Sequence, residues 1–93
     1  MEQEKNQKLI TMILLMNNQL LISEIEQLTS ELGEPDCRLI NPYFVNQSDM
    51  EMSPWMDNFS PPGVAFFDIH SDKILTLFKP RATLLEKYEE LIK

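Results

Sequence analysis

Two apolar runs in this chain are each interrupted near the middle by a short polar break. The first stretch covers residues 10–28 and breaks at residues 17–18, and the second covers residues 64–78 and breaks at residues 71–72. The Asn and Asp residues at these breaks tolerate the left-handed backbone of tight turns. The pattern therefore predicts two β-hairpins and a mainly β domain.

The N-terminal third of the chain also fits a helix. Apolar residues recur there at helical spacings as far as Leu32, and Ser23 and Glu26 have the spacing of a capping box. In favour of the hairpin, apolar and polar residues alternate on both sides of the break. A helix would also carry Asn17 and Asn18 in mid-span, where they suit a turn better. We expect the hairpin, with the helix as the alternative.

The middle of the chain predicts one strand and one long loop. Residues 37–45 are strand-like but contain Pro42, which has no N–H, so we expect an edge, bulged or bent strand there. Residues 46–62 contain three prolines, three acidic residues and no Lys or Arg. A loop of this length in a small domain is typical of a binding loop or a mobile loop. Its Trp55 either caps the core or contacts a partner.

The most regular strands are predicted at residues 64–69 and 74–78, followed by a helix. Both faces of these strands are largely apolar, which predicts cover on both sides, by the domain's own core and by a helix or a second subunit. Pro80 suits the first turn of a helix. We therefore predict an amphipathic helix over residues 81–93 that docks on the sheet. Its apolar stripe consists of Leu84, Leu85, Tyr88, Leu91 and Ile92.

Composition limits the possible functions. A chain of 93 residues forms one domain, and it buries only about 60 to 65% of its unfolded surface, so association with further copies would stabilise it. Eight basic and fifteen acidic residues give a net charge of −7, which disfavours attraction of the whole surface to nucleic acid or anionic membranes. We identify no catalytic constellation and expect no enzyme activity.

The cysteine count and the terminal segment point to a cytoplasmic protein. Cys37 is the only cysteine, which excludes an internal disulfide, and with one histidine it leaves no usual set of metal ligands. Residues 1–9 are mostly polar, unlike a secretory signal, and no apolar run approaches the length of a membrane span. We expect a cytoplasmic protein with no membrane contact, metal or cofactor.

Two motifs resemble those of the Sm-like (Lsm) family. Asn18 and Ser23 stand where the first family motif usually has glycines, and His70 and Ser71 replace the Arg-Gly pair of the second motif, which is similar to residues 69–74. The resemblance covers residues 10–80, and the chain looks like a divergent member of the kind found in phage or bacteria. The first motif comprises Ile13, Leu15, Asn17, Asn18, Leu21, Ser23 and Ile25.

The resemblance implies a small, strongly bent five-stranded antiparallel sheet, an Sm-like barrel, here with a C-terminal α-helix. Residues 1–93 would form a single Sm-like domain with a variable loop at residues 46–62. The family usually has a helix before the first strand, whereas residues 2–9 are long enough for only a short turn or two. Head-to-tail pairing of the fourth and fifth strands would build a homo-oligomeric ring. The implied interface comprises Val64, Phe66, Phe67, Ile69, Ile74, Leu75 and Leu77.

The resemblance also implies a site for uridine-rich single-stranded RNA, formed by the third and fifth loops. The family's Arg is absent and the chain is acidic, so we expect weakened RNA binding, with Lys79 and Arg81 adding positive charge nearby. The alternative is a protein-interaction or assembly scaffold that uses residues 46–62. The site residues carried over from the family are Asp36, His70, Ser71, Asp72 and Lys73.

Overall fold

The structure is a computed structural model that describes residues 9–56, 59, 61 and 63–93. A 3₁₀ turn at Ser71–Lys73 joins the last two strands. The predicted mainly β fold with a C-terminal helix is confirmed. The strands are β1 (Ile10–Leu15), β2 (Leu20–Gln27), β3 (Cys37–Val45), β4 (Met52–Pro54), β5 (Phe66–Ile69) and β6 (Ile74–Phe78), and the helix is α1 (Ala82–Leu91).

All strand pairs are antiparallel, and the sheet order is β4-β3-β2-β1-β6 with β5 also paired to β3. The sheet therefore has one strand more than the five expected. The additional strand is β4, which lies inside residues 46–62, so the prediction of a continuous loop there is wrong. Met52 pairs with Val45 at the end of β3, and this pairing gives the returning chain backbone partners.

The first predicted hairpin is confirmed, and the helical alternative for this region is wrong. Asn18 has a φ of 71°, the left-handed conformation expected at the turn. The Asn17 side-chain oxygen accepts a hydrogen bond from the Gln19 N–H at 3.0 Å. Ser23 caps no helix, since it is buried within β2 and its hydroxyl donates to the Ile40 carbonyl at 3.1 Å.

The second predicted hairpin is wrong, because β5 and β6 do not pair with each other. Instead β5 pairs with β3 and β6 pairs with β1. The 3₁₀ turn leads the chain from the strand beside β3 to the strand beside β1. The polar break at residues 71–72 therefore marks a crossover between strands that are not neighbours in the sheet. The first of these strands begins at Phe66, two residues later than expected.

Strand β3 contains a β-bulge at Asn41 and Pro42. Asn41 has a φ of 55°, and these two residues together oppose Ser23 of β2. Before the bulge β3 pairs with β5, and after it with β4. Of the possibilities expected for Pro42, the bulge is correct and the edge position is wrong, because a bulge tolerates the missing N–H within an internal strand.

Two buried clusters lie on opposite faces of the sheet. Successive strand residues point to opposite faces, so Met12 joins one cluster and Ile13 the other. Cover on both sides was expected for residues 64–69 and 74–78, but within one chain it is provided for β1 and β2, and β5 and β6 keep exposed apolar side chains. The first cluster comprises Met12, Ile22, Val45 and Tyr88, and the second comprises Ile13, Leu15, Leu21 and Leu39.

Helix α1 covers the first of these faces through Tyr88, which is completely buried. Leu84 and Ile92 also pack on this cluster, as predicted for the docking stripe. The prediction for Leu91 is wrong, since its side chain is 45% exposed. The helix is also shorter than the predicted 81–93. The predicted turn over residues 2–9 lies outside the described residues except at Leu9. No helix in the described parts of the chain is long and apolar enough to cross a membrane.

Candidate functional site

The loop between β2 and β3 meets the turn between β5 and β6 at Asp36. The Ser71 N–H donates to Asp36 Oδ1, and the Ser71 hydroxyl donates to Asp36 Oδ2, both at 2.7 Å. The Asp36 N–H donates to the Ile69 carbonyl at 3.2 Å. We call these three hydrogen bonds the Asp36–Ser71 clasp. They hold together the two loops to which the Sm-like resemblance assigns the RNA site.

Further contacts reinforce this junction. Gly33 has a φ of 89°, and its carbonyl oxygen lies 3.0 Å from His70 Nε2. The hydrogen bond from the Ser71 side chain, followed by the one from its N–H, lowers the pKa of the Asp36 carboxyl below its ordinary value. Both Asp36 and His70 therefore already have partners within the protein.

The other two predicted RNA-site residues, Asp72 and Lys73, are exposed in the 3₁₀ turn. Only the backbone of Lys73 is bonded here: its carbonyl accepts the Met16 N–H at 2.8 Å, and its N–H donates to the His70 carbonyl at 3.0 Å. The structure thus brings Asp36, His70 and Ser71 together and leaves Asp72 and Lys73 at the surface beside them.

A cavity of about 460 Å³ lies next to the clasp and is lined by residues 27–34 and Asp36. Its charged lining residues are Glu31, Glu34 and Asp36. These carboxylates oppose the entry of a phosphate group. Within the described residues, no group of three or more His, Cys, Asp or Glu side chains is placed to hold a metal ion.

The predicted interface residues lie on β5, on β6 and just before β5. In the described part of the chain each of these strands has a partner on one side only, so each presents a free edge. Ile69 and Ile74 are half-buried against the second core cluster, and the Phe67 ring packs edge-on against Trp55 at 5.6 Å. Exposed apolar side chains on these segments are Val64, Phe66, Leu75, Leu77 and Phe78.

Residues 8–93 match the family described as "Family of unknown function (DUF6561)". The chain belongs to this family. No curated protein matches the chain.

One feature of this DUF6561 chain, centred on Arg38, escaped the sequence analysis. Arg38 forms a bidentate pair with Asp68, with Nε to Oδ1 at 2.8 Å and Nη2 to Oδ2 at 3.3 Å. Its guanidinium carbon also lies 4.4 Å from the centre of the Phe66 ring. Hydrogen bonding to Arg38 lowers the pKa of the Asp68 carboxyl. Arg38 and Asp68 face each other in the β3–β5 register, which the local pattern alone could not reveal.

A second missed contact concerns Trp55. Its Nε1–H donates to the Gln19 side-chain oxygen at 3.3 Å, and its ring packs on the second core cluster. Trp55 is therefore half-buried in the domain, as the core-capping alternative requires. Phe59 next to it remains 85% exposed. Both residues line a shallow cavity of about 260 Å³.

Proposed function

We propose that this DUF6561 protein is an Sm-like, ring-forming homo-oligomer in which β5 of one copy pairs with β6 of the next. The observation that supports the proposal is the position of these two strands. They follow each other along the chain, but β5 pairs only with β3 and β6 pairs only with β1, so each strand leaves one edge free. Free strand edges with apolar side chains favour pairing with another chain. Because the two edges differ, the contact is heterologous, and such contacts build a ring when the rotation closes.

The β5–β6 connection supports a strongly bent, barrel-like sheet for this proposal. In sheet order, β3, β2 and β1 lie between β5 and β6. In a flat sheet β5 and β6 would be separated by four strand spacings of about 4.8 Å, or about 19 Å. The chain from Ile69 to Ile74 would reach about 17 Å when fully extended, and a 3₁₀ turn shortens it by rising only about 2 Å per residue. A bent sheet reconciles these two distances.

The side chains at the two edges fit such an intermolecular pairing. Phe67 pairs with Leu39, and Leu77 pairs with Ile13. Leu39 and Ile13 belong to the same buried cluster, so Phe67 and Leu77 lie on the same face of the sheet. Placing β6 of a second copy beside β5 would continue this apolar face across the subunit boundary.

The proposed ring binds single-stranded RNA weakly through Asp36, His70, Ser71, Asp72 and Lys73. The Asp36 carboxylate is occupied by Ser71 and the His70 ring by Gly33, so a base would have to compete with these contacts. The site also lacks the Arg that offers a planar, charged surface for stacking. A chain charge of −7 adds repulsion.

Titration with uridine-rich single-stranded RNA at several salt concentrations tests this part of the proposal. We expect weak binding that stays flat or rises with modest salt, because salt screens the repulsion from the acidic surface. Tight binding at physiological salt that is abolished by His70→Ala together with Lys73→Ala would contradict it.

A second candidate function is a protein-interaction scaffold without RNA binding. The exposed Phe59 beside the half-buried Trp55 favours it, because aromatic side chains are enriched at protein interfaces. The segment 46–62 contains no Lys or Arg, so it offers no positive charge to a phosphate group. A complete absence of RNA binding by the intact oligomer would favour this scaffold function over the ring's weak RNA site.

Charge substitutions at the β6 edge test the ring itself. Leu75→Glu with Leu77→Glu should reduce the assembly to monomers, because the introduced carboxylates would be buried at the subunit contact. Leu32→Glu is the control, since Leu32 is completely exposed in the β2–β3 loop and belongs to neither edge strand. An unchanged mass for the double variant would contradict β6 as an interface strand.

A further inference from the structure

We propose that Asp36 is a positioning residue for assembly, which sets the relative placement of the β5 and β6 edges through the Asp36–Ser71 clasp. This inference rests on the proposed ring and adds to it the element that determines its geometry. It also gives Asp36 a role other than that of an RNA ligand.

On the β5 side, Asp36 both extends the sheet and caps the turn. Its N–H bond to the Ile69 carbonyl lies one residue beyond the Cys37–Ile69 pair of the β3–β5 ladder. The 3₁₀ turn that follows receives no hydrogen bond from the side chain of its own capping residue, His70. The Asp36 carboxylate takes this role by accepting the Ser71 N–H. A residue 35 positions away in sequence thus fixes the start of the turn.

On the β6 side, the same turn is tied to β1. The Lys73 carbonyl accepts the Met16 N–H at 2.8 Å, immediately beyond the Leu15–Ile74 pair. The three-residue turn is therefore anchored at both ends, to β3 through Asp36 and to β1 through Met16. Removing the carboxylate would release Ser71 at the start of the turn, while the backbone bond from Asp36 to Ile69 and the bond from Met16 to Lys73 stay in place.

Ring closure makes this anchoring important for assembly. Each copy in a heterologous ring uses both edges, so the angle between them is repeated at every contact. A loosely defined angle favours open or mixed assemblies over one closed ring. Apart from the His70–Gly33 contact, the two bonds from Ser71 to the Asp36 carboxylate are the only hydrogen bonds involving a side chain that join the β2–β3 loop to the β5–β6 turn in the described residues.

The test compares Asp36→Asn with Asp72→Asn by sedimentation velocity over a hundredfold range of protein concentration. Both variants remove one negative charge from the same surface, but the Asp72 carboxylate makes no hydrogen bond or ion pair within the described residues. We expect Asp72→Asn to assemble like the wild type. Asp36→Asn should dissociate at about tenfold higher concentration or form a mixture of sizes, since the amide keeps one acceptor oxygen but loses the negative charge that strengthens both bonds from Ser71.

Circular dichroism on the same samples separates assembly from folding. We expect folded Asp36→Asn protein at the temperature of the sedimentation run. Ser71→Ala loses only the hydroxyl bond of the clasp, and it should shift assembly in the same direction by a smaller amount. If Asp36→Asn does not fold, the Ser71→Ala variant decides: a Ser71→Ala protein that assembles like the wild type overturns the proposal. A folded Asp36→Asn that assembles like the wild type overturns the clasp's role alone, whereas a monomeric wild type overturns both the clasp's role and the ring.

Discussion

Tyr88 fastens α1 to the bulge in β3, and its replacement should produce a large loss of stability. The Tyr88 hydroxyl donates to the carbonyls of Asn41 at 2.9 Å and Ile40 at 3.3 Å. Its ring is fully buried and packs edge-on against Tyr43 with 5.8 Å between ring centres. This side chain therefore joins the helix to the point at which β3 changes partner from β5 to β4.

The expected magnitudes follow from these contacts. Tyr88→Phe keeps the ring but removes the hydroxyl, and the Ile40 carbonyl retains the Ser23 hydroxyl as a donor. We expect a loss of about 1 to 2 kcal/mol in the free energy of unfolding. Tyr88→Ala also removes the buried ring and should cost about 3 to 5 kcal/mol. The whole domain is expected to have only about 5 to 14 kcal/mol at 93 residues.

Alkaline pH provides an independent check on the same residue. Burial raises the pKa of Tyr88 from 10.0 to about 12. Because the pKa of Tyr88 is higher in the folded state than in the unfolded state, its stabilising contribution is fully present below about pH 10 and is lost as the pH rises towards 12. Tyr88→Phe should therefore be less sensitive to alkaline pH than the wild type.

Urea unfolding followed by circular dichroism, at one fixed protein concentration, measures these differences. Leu91→Ala is the matched control on the same helix, because Leu91 is largely exposed and should cost less than about 0.5 kcal/mol. A Tyr88→Ala variant that loses no more stability than Leu91→Ala would refute the inference that α1 is fastened through Tyr88.

Three further predictions concern acid pH, the core and the helix. Hydrogen bonds lower the pKa values of Asp36 and Asp68, so their contribution to stability is present above their ordinary value of 3.8 and is lost as the pH falls through their folded-state values. The melting temperature should therefore fall as the pH drops below 3.8, and it should fall less in Asp36→Asn. Phe67→Glu should lower the free energy of unfolding by about 2 kcal/mol in urea titrations, because its carboxylate would lie against the half-buried Trp55 ring. Deleting residues 81–93 should expose the first core cluster and lower solubility, and a truncated protein with unchanged melting temperature and oligomeric state would contradict this.

Local signals explain why one half of the sheet could be predicted from the sequence and the other could not. The β1–β2 hairpin is closed by Asn17 and Asn18, which lie directly between the strands that they join. The strands on either side of residues 71–73 show the same apolar pattern, but their partners are β3 and β1. An apolar run identifies a strand without specifying its neighbour, so a polar break between two such runs predicts a hairpin even where the strands pair elsewhere.

At the candidate site, too, the residues could be named from the sequence but their contacts could not. Asp36, His70 and Ser71 were selected through the resemblance to a known family, and the structure places them next to one another. Their hydrogen bonds depend on how two loops meet in space, which spacing along the chain does not encode. The Arg38–Asp68 pair was missed for the same reason, since it requires the β3–β5 register.

The mass of the protein in solution tests the ring most directly. Light scattering during size-exclusion chromatography at tens of micromolar, an order-of-magnitude choice for a specific assembly, should give one closed species of about five to seven copies, the size implied by the family resemblance. The free edges of β5 and β6 would then be paired between neighbouring copies. A stable monomer at that concentration would contradict the ring, and the exposed apolar side chains on these strands would need another partner.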